Sequence, residues 1–288
     1  MIFRSARNTI ATCLALLFLT VSSPASAEEL RIGGTGVALG GIRILADAFE
    51  KQNPGVTVEV LPSLGSSGGV KALIAGAIDL SVSSRALKDK EKEQGAQARV
   101  YAKTPLAMVT STGTQTDMIT TEQLAEMYAG TMTNWPSGER VRVILRPMSE
   151  IDVHILSSLS LDMAQAVEMA QHRPVLVMAT NDQNNAEVLE SLEGSIGAVA
   201  LGQIATEGRR LKVLALDGIV PKAAGPTDPS VGSTQENREA IQRSMKLAKS
   251  LYLVRLSGTS GTAESFLDFV FSPQGRAILQ FYDHSVPG

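Results

Sequence analysis

Two apolar periods alternate along this chain of 288 residues. Residues 61–85 show the pattern most clearly: LPSLGSSGGVKALIAGAIDLSVSSR. After the turn GSSGG, Val70, Leu73, Ile74 and Ala77 recur at helical spacing. Ile78, Leu80 and Val82 then alternate as a half-buried strand does, up to a small polar turn, Ser83-Ser84-Arg85. Upstream, residues 28–32 predict a strand and residues 33–41, GGTGVALGG, a loop. A helix with Ile42, Leu45, Ala46 and Phe49 on one face follows, stopped by Asn53-Pro54-Gly55. Val56, Val58 and Val60 make the next strand. Strand, loop and helix in repetition predict an α/β fold with a mostly parallel sheet. Ligands of such sheets sit at the carboxyl ends of the strands, where these glycine-rich loops fall.

The pattern continues in the second half. Residues 105–110 predict a strand, and Thr120 with Gln123 a capping box for a helix carrying Leu124, Met127 and Tyr128, closed by Gly130. Thr133-Asn134-Trp135-Pro136 is a turn, and residues 141–145 a strand ending at Arg146. Ser149 and Asp152 fit a second box, for a helix with Ile155, Leu156 and Leu159. A longer helix spans 161–171, and strands are expected at 198–201 and 211–216. Residues 218–232, rich in Pro and Gly, read as a connector. A helix near 238–249, a strand at 251–256 and a helix at 263–271 complete the chain, with no internal repeat.

Composition narrows the class. Hydrophobic residues make up 44% and charged residues 19%, which suits a packed core. A formal charge of −3 offers no basic face for nucleic acid. Residues 1–27 have the form of a signal peptide: Arg4 and Arg7, an apolar middle, and Ala25-Ser26-Ala27 as a cleavage site. Cys13, the one cysteine, lies inside that segment. Cleavage after Ala27 would leave no thiol, no disulfide and no thiolate metal site, and a soluble periplasmic protein. His154, His172 and His284 lack metal-ligand spacing, so neither metal nor cofactor is expected.

Hydroxyls and unpartnered N–H groups at a helix start suit an anion, which directs attention to the loops around Gly36 and Ser66. Arg146, between a strand end and a helix start, supplies a planar donor for a tetrahedral anion. Nucleotide fingerprints are incomplete: Gly34-Thr35-Gly36 lacks its third glycine, and no loop ends in Gly-Lys-Ser/Thr. Gly65-Ser66-Ser67-Gly68-Gly69 does match a nucleophile elbow centred on Ser67, so an exported serine hydrolase is a competing reading, drawing its base from the three histidines.

The chain resembles the periplasmic phosphate-binding proteins of phosphate ABC transporters over nearly all of its length after residue 27. The resemblance rests on GSSGGVKALIAGAIDLSVSSRALKDKE, EQLAEMYAGTMTNWP, GSIGAVALGQI, DGIVP, YLVRL and SFLDFVFSPQGRAIL, in that order. It implies a two-lobe, type II periplasmic binding protein fold. Each lobe would be a mostly parallel sheet flanked by helices, with two crossover strands as the hinge. Lobe one would comprise residues 28–105 and 225–288, and lobe two residues 106–224. It further implies a monomer that captures a phosphate-like oxyanion between its lobes, without catalysis, and passes it to a membrane permease. A membrane sensor kinase is the alternative partner.

Site residues carry over by position. The first glycine-rich segment puts Thr35 and Gly36 at the anion, the second Ser66 with Ser67 beside it, and the family's arginine matches Arg146. Two positions depart. Ser84 stands where many members have a proton-accepting aspartate, and Glu150-Ile151-Asp152 replaces a Ser-Gly-Thr helix start. Carboxylates beside a dianion repel it unless a proton intervenes. Glu150 or Asp152 is therefore expected to accept the ligand's proton, unless Asp152 only caps its own helix with Ser149.

Overall fold

A computed structural model describes residues 28–223 and 235–287. The expected signal peptide and most of the connector lie outside the described residues. The first half runs β1 (Glu28–Gly34), α1 (Gly36–Gln52), β2 (Val56–Val60), α2 (Gly65–Ile74), β3 (Leu80–Ser83), α3 (Asp89–Glu93) and β4 (Ala96–Ser111). Next come β5 (Met118–Ile119), α4 (Thr121–Ala129), β6 (Arg142–Leu145), α5 (Ile151–Ser157), α6 (Leu161–Gln171) and β7 (Val177–Met178). Then follow α7 (Asp182–Ser191), β8 (Ser195–Ala200), α8 (Leu201–Glu207), β9 (Leu211–Val213) and β10 (Ala215–Leu216). The last elements are α9 (Gln235–Lys246), β11 (Ala248–Leu256), α10 (Thr262–Phe271) and α11 (Pro273–Phe281). None of the described helices is long and apolar enough to cross a membrane.

The fold is mixed α/β with two lobes. One path of strands, β2-β1-β3-β11-β4-β8-β6-β7, runs through both, with β9 beside β4. The outer pairs β1–β2, β1–β3, β6–β7 and β6–β8 are parallel. The inner strands β11 and β4 run antiparallel to their neighbours. β4 is the shared element: residues 96–105 pair with β11, and residues 106–111 with β8 and β9. Leu30, Ile32, Ile42, Leu45, Phe49, Leu251 and Phe266 fill one core, while Leu124, Met127, Leu145, Met163 and Ile196 fill another on the far side of β4.

Local chemistry explains the element ends. Thr120 accepts from Gln123 N and the Gln123 side chain answers, so the expected box is present, and Gly130 closes α4 in the left-handed region at φ 85°. Other expectations are corrected. The glycines of residues 36–41 form the first turns of α1 and not a loop, and GSSGG is the first half of α2. α2 stops at Ile74, before Ala77. β3 is buried on both faces, because it is an inner strand of the sheet against which α1 and α2 pack. The expected strand at 105–110 is the end of the longer β4. Leu201 begins α8 instead of closing a strand, and Lys249 belongs to β11 and not to the preceding helix. The apolar period of α7 is weak, and the expected elements include none of α3, α7, α8 and α11.

Glycine is required where α2 meets β1. A side chain at Gly34 would lie 2.0 Å from the Val82 carbonyl oxygen, and one at Gly69 would lie 2.6 Å from the Gly34 Cα. The two glycines let the start of α2 lie against the end of β1.

Candidate functional site

The carboxyl ends of β1 and β3 and the start of α2 bring three hydroxyls together. Thr35 is the N-cap of α1 and is buried, its N–H donating to the Val82 carbonyl at 2.9 Å. Its side chain does not cap the helix, and its Oγ1 lies 3.4 Å from Ser84 Oγ. Ser84 follows β3 and donates its N–H to Ser66 Oγ at 3.0 Å, with the two hydroxyls 3.2 Å apart. Ser66 sits in the first turn of α2, so its hydroxyl is held at the positive end of that helix. Ser67, next to it, accepts from Arg85 Nη2 at 3.0 Å. Arg85 is also paired with Glu91 at 2.7 Å.

Across from these hydroxyls, Arg146 leaves the end of β6 and is buried to 5% exposure. Its Nη1 donates to the Ala179 carbonyl at 3.1 Å, and its Nη2 lies 3.3 Å from Glu150 Oε2 and 3.4 Å from Asp182 Oδ1. Its Nε lies 3.7 Å from Asp152 Oδ2. Asp152 does not cap α5. The N-cap is Glu150, without a side-chain bond, and Asp152 turns inward to 2% exposure, where it also contacts Lys249 Nζ. The expected box with Ser149 is therefore absent, because two buried cations outcompete the helix N–H groups for that carboxylate.

Asp182 and Lys249 complete the cluster, and neither was singled out from sequence. Asp182 starts α7, whose N-cap Asn181 accepts from Asn184 N at 2.8 Å, leaving the Asp182 side chain free to point away from its own helix. Its Oδ2 accepts from Val37 N, in the first turn of α1, at 3.0 Å, and its Oδ1 lies 3.4 Å from Lys249 Nζ. Burial works against its ionisation, but Lys249, Arg146 and the Val37 N–H prevail and hold the carboxyl below its usual range. Lys249 sits on the face of β11 that also buries Leu251 and Leu253. Burial opposes its charge too, yet Asp152 and Asp182 raise its pKa. The result is a buried quartet of two cations and two carboxylates. Glu150 stands at its edge, half-buried, and burial raises its pKa despite Arg146.

Next to the quartet lies a cleft of about 430 Å³, lined by Ser66, Ser67, Ser84 and Arg85 on one side and by Ser149, Glu150 and His154 on the other. The structure thus brings Thr35, Ser66 and Ser84 into one hydrogen-bonded group, and Arg146, Glu150 and Asp152 into another. The Gly36 carbonyl accepts from Gln183 Nε2 at 2.9 Å, a bond separate from both groups. Ser67 shares the cleft with His154, but its hydroxyl is taken up by Arg85, and His284 is buried 1% exposed against Gly202 and Gly41.

Residues 20–274 match the family model of the PBP superfamily domain. The chain is similar to the phosphate-binding protein PstS of Borreliella burgdorferi, with 27% identity over 225 residues, 75% of each chain. A stretch of 110 residues is 28% identical to phosphate-binding protein PstS 2 of Streptococcus agalactiae, 38% of this chain and 37% of that one. A solved structure from Clostridium perfringens with bound phosphate is similar at TM-score 0.67 and 20% identity, over 91% of this chain and 100% of that one. A phosphate-binding protein from Stenotrophomonas maltophilia reaches TM-score 0.62 at 13% identity, over 91% of each chain. At such identities the solved structures share the fold.

Proposed function

The chain belongs to the PBP superfamily, and we propose on that basis that it is a periplasmic solute-binding protein that captures a phosphate-like oxyanion between its lobes. The partner in this reading is the membrane permease of an ABC transporter. In this reading the lobes are the two expected from the sequence, and β4 is one of the crossovers about which they close. The observation that carries the reading is the convergence of Thr35, Ser66 and Ser84 within 3.4 Å at the starts of α1 and α2. Three hydroxyls and two helix starts form a neutral donor set for an oxyanion, and Arg146 stands on the opposite lobe to meet it. The names of the relatives support phosphate as the model ligand.

Glu150 takes the proton-reading role in this scheme. It lines the cleft, and its raised pKa lets it share a proton with the ligand. Asp152, committed to Arg146 and Lys249, does not. The test is a thermal-shift panel of phosphate, arsenate, sulfate, molybdate and tungstate on protein stripped of ligand. An oxyanion held at about 100 times its Kd adds about 2.7 kcal/mol of stability, and Arg146→Ala removes that gain. The reading fails if no oxyanion stabilises the protein or its Asp182→Asn form, or if Arg146→Ala leaves binding untouched.

A further inference from the structure

The donors that an oxyanion would use at the start of α1 are already engaged, by a carboxylate of the protein itself. We infer that Asp182 is a built-in competitor of the ligand: with Arg146 and Lys249 it clasps the lobes together, and it must be displaced before an oxyanion reaches α1. The inference rests on the oxyanion reading above and concerns the regulation of that same site.

Asp182 Oδ2 takes the Val37 N–H at 3.0 Å, and its Oδ1 lies 3.4 Å from both Arg146 Nη2 and Lys249 Nζ. A helix-start N–H, a guanidinium and an ammonium are the partners that bind a free oxyanion. Here they come from α1, from the end of β6 and from β11, so one carboxylate ties three separate parts of the fold. The approach is close by construction. A side chain at Gly36 would lie 2.3 Å from Gln183 Oε1 and 2.9 Å from Asp182 Oδ2. Gln183 reinforces the contact, its Nε2 donating to the Gly36 carbonyl and to Glu207 Oε1, both at 2.9 Å.

Charge balance explains why such a clasp changes behaviour. Closing a cleft over Arg146 and Lys249 without an anion would bury two uncompensated cations, which is strongly unfavourable. Asp152 and Asp182 neutralise both. Closure therefore needs no ligand, and the ligand competes with Asp182 instead of driving closure alone. Its apparent affinity falls by the fraction of molecules in which Asp182 is disengaged.

The experiment compares the protein with Asp182→Asn and Gly36→Ala, by small-angle X-ray scattering without ligand and by calorimetric titration with inorganic phosphate. Gly36→Ala presses a methyl group on the Gln183 and Asp182 side chains without altering any charge, so it perturbs the clasp even if Asp182→Asn folds poorly. The expected result is a compact wild type, expansion of the variants, and inorganic phosphate binding to Asp182→Asn about tenfold tighter or more. Scattering and affinity unchanged in both variants overturn the clasp while leaving the oxyanion reading in place. Expansion with no phosphate binding in any form keeps the clasp and overturns that reading.

Discussion

His284 gives the sharpest stability test. Its imidazole packs on Gly202 and Gly41, with 1% of its surface exposed and no partner for Nδ1 among the described residues. Burial pushes its pKa down to about 4, against the backbone carbonyls nearby that favour its charged form. The unfolded chain protonates this histidine near its ordinary value of about 6.5, whereas the folded chain does not. Where the unfolded state binds more protons, stability is lost as pH is lowered, so the window runs from the unfolded value down to about 4. Between about pH 7.5 and about pH 5 the imbalance removes about 2 kcal/mol, at about 1.4 kcal/mol per unit inside the window.

Other groups act differently in that window. Glu150 and Asp283 have pKa values raised by burial, so each adds stability as pH falls through its folded value. Asp182, held low, loses its contribution only below the usual carboxylate range. His284→Gln, neutral at every pH, leaves all three in place and removes only the imidazole's contribution. Urea unfolding of wild type and variant at both pH values isolates the difference. The stability gap between them should shift by about 2 kcal/mol toward the variant at the lower pH. If the two proteins lose or gain stability in parallel, the imidazole is not buried neutral and the reasoning fails.

Two further outcomes follow from the packing and the cleft. Phe266 is fully buried and meets Phe49 edge-on at 5.3 Å, so Phe266→Ala should cost about 3–5 kcal/mol in urea unfolding; a loss below about 1 kcal/mol would mean that the core beneath α10 is loosely packed. Because the Ser67 hydroxyl accepts from Arg85 and bonds to no histidine among the described residues, ester substrates should be turned over equally poorly by the protein and by Ser67→Ala. Ser67-dependent hydrolysis in a colorimetric ester assay would revive the hydrolase reading.

The parts of the fold that were legible in the sequence are those whose local pattern and tertiary role agree. The face Ile42, Leu45, Ala46, Phe49 is buried as its period implies, and Thr120 with Gln123 caps the helix it announces. α7 was not legible, because its buried face includes Asp182 and Asn185 as well as Ala186 and Leu189, so polarity masks its period. The first half of β4 was hidden for a related reason: residues 97–99 are polar or exposed, and only pairing with β11 explains why they continue a strand. At the site, Arg146 was recognisable as a strand-end donor, but its partners were not. Asp182 meets Val37 across 145 positions of sequence. One signal was nonetheless available. Lys249 shares its two-residue register with Leu251 and Leu253, and a lysine on the apolar face of a strand needs a buried carboxylate.

That lysine also bears on how an anion could enter. With Lys249 and Arg146 charged and Asp152 and Asp182 ionised, the quartet carries no net charge, and Glu150 adds a further carboxyl at its edge. A dianion added to a closed quartet would meet two carboxylates with no spare cation. Two routes relieve this. Either Asp182 swings out to water, freeing Arg146 and Lys249, or Glu150 and the ligand share a proton. The first requires the lobes to part, because Asp182 is held by α1. The second requires only that Glu150 take up a proton more readily than an exposed carboxylate, as burial already arranges. The two routes differ in pH dependence. Displacement of Asp182 is insensitive to pH above the usual carboxylate range, whereas proton sharing through Glu150 weakens binding as pH rises through its raised pKa. Both can operate in sequence, with opening first and proton uptake on closure. Asp182→Asn would then raise affinity, whereas Glu150→Gln, a neutral mimic of the protonated carboxyl, would remove the pH dependence of binding without lowering affinity.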